Sequence, residues 1–251
     1  MSKEVRAMVI GQFVDTYPPE LDGVGQVTLS YCRVLTEMGH TCYYIAPDAP
    51  DDGHFYAFPV LLQKSVPFLK GKYRMAAPLL DWNYHMQIDR LRFDIVHAQS
   101  PFLAGEEALR IARRQEIPLV TTFHSKYYDD VLGITHMALA ARSVTDLIVR
   151  FYGRCNAVWT VNNATAEVLT QYGYKGRITV MPNGTDPEPL SPEAVDRLRK
   201  MLPEAPGKAS LLFVGQHNYK KNLHGVLQAC ALLKRQGVPF RLVTAGTGPD
   251  A

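Results

Sequence analysis

Two glycines, two histidines and a lysine each fall just after an apolar, β-rich run, and these are the residues that could do chemistry. Gly23 and Gly25 lie in the loop DTYPPELDGVG, which follows VRAMVIGQFV (5–14). Glycine lets backbone N–H groups approach an anion closely, and a helix that follows turns its positive end toward it. A diphosphate fits there, although a plain turn explains the pair as well. Positions 23–28 read G-V-G-Q-V-T, not the G-x-G-x-x-G of a dinucleotide site. His124 closes IPLVTTFH and His97 closes DIVHAQ. A strand-end histidine can donate to a hydroxyl or stabilise developing charge, or it can simply be a satisfied packing residue. Lys221, in QHNYKKN after SLLFVG, can pair with a phosphate at a helix start, or be a solvated lysine beside an Asn222 cap. Gln216 opens the same loop, and Gly246 and Gly248 follow the next strand, where they can form a second tight phosphate turn. Asn183 and Asp186 belong to an N-G-T-D run whose plain reading is a turn.

The elements that must position these residues alternate along the chain. After the first strand, apolar residues at Val27, Tyr31, Val34, Leu35 and Met38 recur at helical spacing, and Gly39 stands where a helix C-cap belongs. CYYIAP (42–47) is a strand, a strand-and-loop region runs to about Ala77, and a helix is expected from there to Leu91. Strand (94–100), helix (103–114), strand (117–124), a long helix over 135–152, strand (156–161), helix (164–172) and strand (177–184) follow. Strands alternating with helices predict a parallel sheet covered on both faces, with ligands beyond the carboxyl ends of the strands. Residues 187–208 are rich in proline and charge and read as a linker, with Ser191-Pro192-Glu193 a good helix start. The boundaries are therefore 1–186 for a first domain, 187–208 for the linker and 209–251 for the start of a second.

Composition narrows the class. With 47% hydrophobic and 20% charged residues, the chain is globular, and a net charge of +3 gives no argument for a nucleic-acid partner. None of the four cysteines has zinc-ligand or C-x-x-C spacing. Cys32 and Cys230 fall on apolar helix faces as buried thiols, which fits a reducing cytoplasm. The apolar run at the start is too short to span a membrane and reads as a core strand. Lys64, Lys70, Lys72 and Arg74, mixed with Phe68, Leu69 and Tyr73, could touch an anionic membrane surface, although a solvated loop explains them too.

In order and spacing, these motifs resemble glycosyltransferase family 4 along essentially the whole chain. The resemblance rests on D-T-Y-P-P-E-L-D-G-V-G (15–25), M-G-H (38–40), D-I-V-H-A-Q-S-P-F (94–102), I-P-L-V-T-T-F-H-S-K-Y (117–127), M-P-N-G-T-D (181–186), F-V-G-x5-K-N (213–222) and G-T-G-P (246–249). It implies an α/β GT-B-type fold: a Rossmann-like N-terminal domain with a parallel sheet, and a second Rossmann-like domain, incomplete here. It implies retaining transfer of a sugar from a UDP- or GDP-sugar to a lipid or glycan acceptor, with no obligate metal or other cofactor. By the same resemblance His124 contacts the transferred sugar, Gly23 and Gly25 face the donor diphosphate, and Lys221 clamps phosphate, with Gln216, Gly246 and Gly248 completing the donor set. Gln216 stands where the family has arginine, which loses a charge and a bidentate partner. Asp15, Tyr17, His97, Asn183 and Asp186 are candidates for acceptor or cleft contacts. The implied location is cytoplasmic, with peripheral contact at the inner membrane face.

The family's paired glutamates would lie beyond Ala251, so these 251 residues are expected not to catalyse transfer alone. The competing reading is a non-catalytic acceptor- or glycan-binding domain. An epimerase acting on nucleotide sugars is disfavoured by the order of the P-N-G-x-D and G-x5-K-N motifs, and an NAD oxidoreductase by the missing G-x-G-x-x-G. Two strands and one helix cannot bury a core, which leaves Leu211, Val214, Leu227 and Leu233 poorly covered. Self-association is the expected outcome in sedimentation velocity; a single monomer species at all concentrations refutes it.

Overall fold

The computed structural model describes residues 6–16, 23–48, 55–68, 73–77, 81–184, 189–202 and 204–248. It divides into two compact units, Met1–Thr185 and Asp186–Ala251. In the first, strands β1 (Val9–Phe13), β2 (Thr41–Pro47), β3 (Val60–Gln63), β6 (Ile95–Ala98), β7 (Leu119–Phe123), β8 (Ala157–Thr160) and β9 (Ile178–Val180) form one sheet in the order β3-β2-β1-β6-β7-β8-β9. Every adjacent pair is parallel. The strand order reverses between β1 and β6, the position at which doubly wound sheets bind ligands beyond the carboxyl ends. Strands β4 (Ser65–Phe68) and β5 (Tyr73–Ala76) pair antiparallel as a separate ribbon.

Period-two alternation divides the core between the two sheet faces. On one face Ile10, Val14, Cys42, Tyr44 and Ala46 pack with Cys32, Leu29 and Leu35 of helix α1 (Gly23–Glu37). On the other, Phe13, Val96, Ala98, Leu119, Phe123 and Val158 pack with Ala108, Ile111 and Ala112 of α3 (Leu103–Gln115) and Ile148, Phe151 and Tyr152 of α5 (Ala138–Tyr152). β7 is buried at all five residues, as a central parallel strand must be. Gly39, at φ 90°, ends α1 in the left-handed conformation expected of it. The Cys32 and Cys42 sulfurs lie 3.6 Å apart as buried free thiols, and burial pushes the Cys32 thiol well above its ordinary range.

Two expected helices differ. The long helix expected over 135–152 is α5, which starts at Ala138; a further helix, α4 (Tyr127–Thr135), precedes it and ends where His136 adopts φ 55° and its N–H donates to the Leu132 carbonyl. The helix expected from Ala77 to Leu91 is the shorter α2 (Trp82–Ile88), started by Asp81, whose carboxylate accepts from Tyr84 N and also from Lys64 N. Residues 78–80 lie outside the described set. α2 is tied to β3 and α3 by a buried chain. Gln63 donates to the Tyr84 hydroxyl, which donates to Glu107, and Glu107 takes two bonds from Arg110. Helix α6 (Asn163–Gln171) follows β8 behind an Asn162–Thr165 capping box.

In the second unit, β10 (Ala209–Val214) and β11 (Phe240–Ala245) pair in parallel, with α8 (Leu223–Arg235) between them in sequence. Helix α7 (Pro192–Met201) starts at a Ser191 cap with Pro192 in its first position and buries no residue. On β10, Leu211 and Phe213 are half-buried while Leu212 and Val214 are exposed. On α8, Leu223 and Cys230 are buried. Of the four residues expected to be uncovered, Val214 and Leu227 are exposed; Leu211 and Leu233 are half-buried, and the alternation exposes Leu212 and Leu232 instead.

One glycine is fixed by a close approach. A Cβ on Gly105, in the first turn of α3, would lie 2.3 Å from the Ser100 carbonyl oxygen and 2.8 Å from the Phe151 ring. Gly105→Ala should therefore cost about 1–3 kcal/mol from overpacking, against a helix-propensity gain of at most about 1 kcal/mol. A lowered urea midpoint checks this, and an unchanged or raised one overturns it.

Candidate functional site

The same alternation that builds the core places a set of polar side chains on the α1 face. Gln12 stands on β1 between Ile10 and Val14, and its register partner across the β1–β6 pair is His97. Gln99 continues the alternation from His97. Thr122 lies on that face of β7, with Trp159 of β8 as its register partner, and His124 follows it. All lie toward the carboxyl ends of the strands.

These residues form one continuous hydrogen-bonded network. His124 Nε2 is 2.8 Å from Gln99 Oε1. Gln99 Nε2 donates to Gln12 Oε1 at 2.9 Å and faces His97 Nδ1 at 3.2 Å. His97 Nε2 is 2.8 Å from the Thr122 hydroxyl. Edge-on contacts from Tyr31 of α1 and Trp159 enclose the His97 ring, with centroids 5.5 and 5.1 Å away. Gln12, His97, Gln99 and Thr122 are buried, whereas His124 is half-buried. Burial, reinforced by the nearby His124, holds the His97 pKa down from 6.5 to about 3, so His97 is neutral and supports the network without carrying charge.

Asp15 does structural work. Its carboxylate takes a hydrogen bond from the Ser100 hydroxyl and another, at 3.1 Å, from Ala104 N. Phe102 at the N-cap of α3 supplies no side-chain cap, so Asp15 closes the helix from the end of β1. It thereby fastens together the two loops at the strand-order reversal. Gly23 and Gly25 lie in the first turn of α1, which itself holds no acidic residue; Asp22, just before it, lies outside the described residues. Gly25 is buried, and a Cβ on Gly23 would meet nothing within 4 Å. Asn183 is exposed after β9. Tyr17 and Asp186 lie outside the described residues, as do Lys70 and Lys72.

The second unit carries its own strand-end loops. The β10–β11 pairing continues past both strands through Gly215 N to Ala245 O and His217 N to Thr247 O. A Cβ on Gly246, at φ 147°, would sit 1.9 Å from the Gly215 oxygen, and one on Gly248 would sit 2.1 Å from the His217 oxygen. Both glycines are required for this approach. Gln216 is exposed, and its Oε1 accepts from Asn218. Lys221 ends a short 3-10 turn (Tyr219–Lys221) and is exposed just before Asn222, whose side chain caps Gly225 N at the start of α8. Of the basic segment, Lys64 is exposed. Arg74 turns inward: its Nε donates to the Asp48 carbonyl and the Ser65 hydroxyl, both at 2.7 Å.

Sequence reasoning thus singled out His97 and His124 but missed what joins them. Gln12, Gln99 and Thr122 were passed over, as were the enclosing Tyr31 and Trp159. A glutamine inside the apolar run VIGQF is the signal that was available: a buried amide needs partners.

Comparison with known proteins agrees with this architecture. The model of the family described as Glycosyltransferase Family 4 matches residues 21–189. A Streptococcus pneumoniae protein named alpha-monoglucosyldiacylglycerol synthase is 29% identical over 250 residues, covering 96% of this chain and 56% of that protein. A GDP-mannose-dependent alpha-mannosyltransferase of Corynebacterium glutamicum is 26% identical, covering 98% of this chain and 59% of its own. The chain therefore spans less than two thirds of these relatives. Among solved structures, sucrose-phosphate synthase from Thermosynechococcus elongatus superposes with a TM-score of 0.71 at 13% identity, over 95% of this chain and 62% of that one, and shares the fold.

The depressed His97 pKa has a consequence for stability. The unfolded chain binds a proton below 6.5 that the folded chain refuses until about 3. Stability is therefore complete above the unfolded value and is lost as pH falls between the two, by up to about 1.4 kcal/mol per pH unit from this residue. His97→Asn should be less stable at neutral pH but should lose less on acidification through that window. Parallel slopes of unfolding free energy against pH for the two proteins would show that His97 is not held neutral.

Proposed function

Because this chain belongs to glycosyltransferase family 4, we propose that it serves a transferase that moves a hexosyl group from a UDP- or GDP-sugar to a lipid acceptor with retention of configuration. The observation that carries this reading is His124. It is a half-buried imidazole at the carboxyl end of a fully buried strand, its Nε2 held by an amide that is itself fully buried. Such a group is preoriented to meet a polar substrate and does not reorganise when charge develops. The likeness to a protein named for monoglucosyldiacylglycerol synthesis supports a diacylglycerol-type acceptor.

In this reading the C1–O bond to the donor diphosphate breaks, a bond to the acceptor oxygen forms on the same face, and the acceptor hydroxyl's proton passes to the departing diphosphate. The departing diphosphate gains negative charge. In the second unit, Lys221 and the loops ending in Gln216 and Gly246–Gly248 meet such charge. With these sources of positive charge, no resident metal is required. Gln216 contributes a hydrogen bond in place of an ion pair, so Lys221 carries a larger share of the phosphate interaction. The site of action is cytoplasmic, at the inner membrane face where a lipid acceptor is presented. No helix among the described residues is long and apolar enough to cross a membrane. Of the described basic residues in the 64–74 segment, Lys64 is exposed and Arg74 is committed to Asp48 and Ser65, so the membrane reading rests on Lys64 among these.

The test is calorimetric titration of UDP-glucose and GDP-mannose into the full-length native polypeptide, with transfer to diacylglycerol followed in parallel. Lys221→Ala should weaken donor binding by about tenfold or more, the size expected for one charge-assisted bond. His124→Ala should abolish most turnover while leaving donor affinity within about threefold. Absence of binding and transfer with both donors would remove the transferase reading and leave an acceptor- or glycan-binding domain.

A further inference from the structure

We propose that Gln99 is a positioning residue: through its carboxamide it fixes the proton of His124 on Nε2 and couples that choice to the tautomer of His97. The carboxamide is completely buried and directed by its neighbours. Its Nε2 is committed to Gln12 Oε1 at 2.9 Å and to His97 Nδ1 at 3.2 Å. An amide nitrogen has only protons to offer, so His97 Nδ1 must be the accepting lone pair. The remaining His97 proton then lies on Nε2, where the Thr122 hydroxyl accepts it at 2.8 Å. Gln99 Oε1 has only lone pairs to offer, and its partner 2.8 Å away is His124 Nε2. That nitrogen must carry a proton. Moving the His97 proton to Nδ1 would set two donors against each other across 3.2 Å; relieving that by turning the amide would face its N–H groups toward His124 and demand the opposite tautomer there.

Burial holds His97 neutral, so its Nδ1 stays an acceptor toward Gln99. One buried amide thereby leaves His124 a single orientation and a single neutral tautomer before any substrate arrives. Its relevance to turnover rests on the transferase reading above; the tautomer itself does not.

The experiment is long-range 15N–1H correlation on histidine-labelled chain, which distinguishes Nδ1–H from Nε2–H directly. The wild-type spectrum should show both His97 and His124 as Nε2–H. Gln99→Met, nearly equal in volume, should leave His124 averaging between tautomers. Gln99→Glu keeps an oxygen toward His124 and should keep its Nε2 protonated, whereas a residue needed only for packing would show no such rescue. His124 protonated on Nδ1 in the wild type, or a His124 pattern indifferent to Gln99→Met, overturns the proposal. Should Gln99→Met fail to fold, the wild-type and Gln99→Glu spectra still decide it. In the full-length polypeptide, Gln99→Met should lower kcat about tenfold with donor KM changed less than about twofold. Failure of the wild type to transfer sugar at all would count against the transferase reading while leaving the tautomer result standing.

Discussion

A buried amide that must find partners for both its ends organises this half of the molecule. Gln99 has no access to water, so its oxygen and both its N–H groups depend on side chains from other strands. Those partners come from β1, from its own strand's end and from the residue after β7, so three adjacent strands must keep their register for the network to exist. A one-residue slip of β7 would carry Thr122 and His124 to the opposite, apolar face and leave His97 Nε2 and Gln99 Oε1 without these partners. Polar satisfaction and strand register enforce each other here. The apolar core supplies most of the stabilisation, and the network selects which registry of that core is native.

The strand-order reversal between β1 and β6 explains why this network lies where it does. With helices leaving in opposite directions from adjacent strand ends, the space beyond β1 and β6 is not filled by a crossover connection. Asp15 spans it at the edge, holding Ser100 and the open N-terminus of α3. Each oxygen of that carboxylate accepts one bond of the latch, a structural task that His124, although it too follows a strand, does not share. Gly105 allows α3 to approach the Ser100 carbonyl closely enough for the latch to reach.

Much of this was legible in the chain. The β–α alternation, the Gly39 terminus of α1, the Ser191-Pro192 helix start and the Asn222 cap all follow from local chemistry, and each appears as expected. The helix α4 was not legible, since Tyr-Tyr-Asp-Asp-Val-Leu-Gly has weak helix propensity and is held by packing of Tyr127 against Phe123 and Phe102. Of the candidate site, the histidines announce themselves by type and by position after apolar runs. Their connection through Gln12 and Gln99 depends on which residues stand opposite each other in a parallel sheet of non-sequential strand order, and no local pattern encodes that. The partner of Arg74 was hidden for a related reason: Asp48, 26 residues away in sequence, accepts its N–H groups.

The two units solve the strand-end problem with different materials. In the first, side chains from three strands interlock and are paired with one another before any ligand arrives. In the second, the backbone does the work: Gly246 approaches the Gly215 carbonyl so closely that no Cβ fits on it, and main-chain N–H to oxygen bonds extend the ladder past the strands. That approach buries His217, whose Nε2 has no hydrogen-bond partner among the described residues. A side-chain network can hold one imidazole in one protonation geometry, which suits a group beside a reacting centre. A backbone turn flanked by an exposed lysine offers N–H groups and charge without fixing a hydrogen-bond pattern to particular atoms, which suits an anion such as a diphosphate.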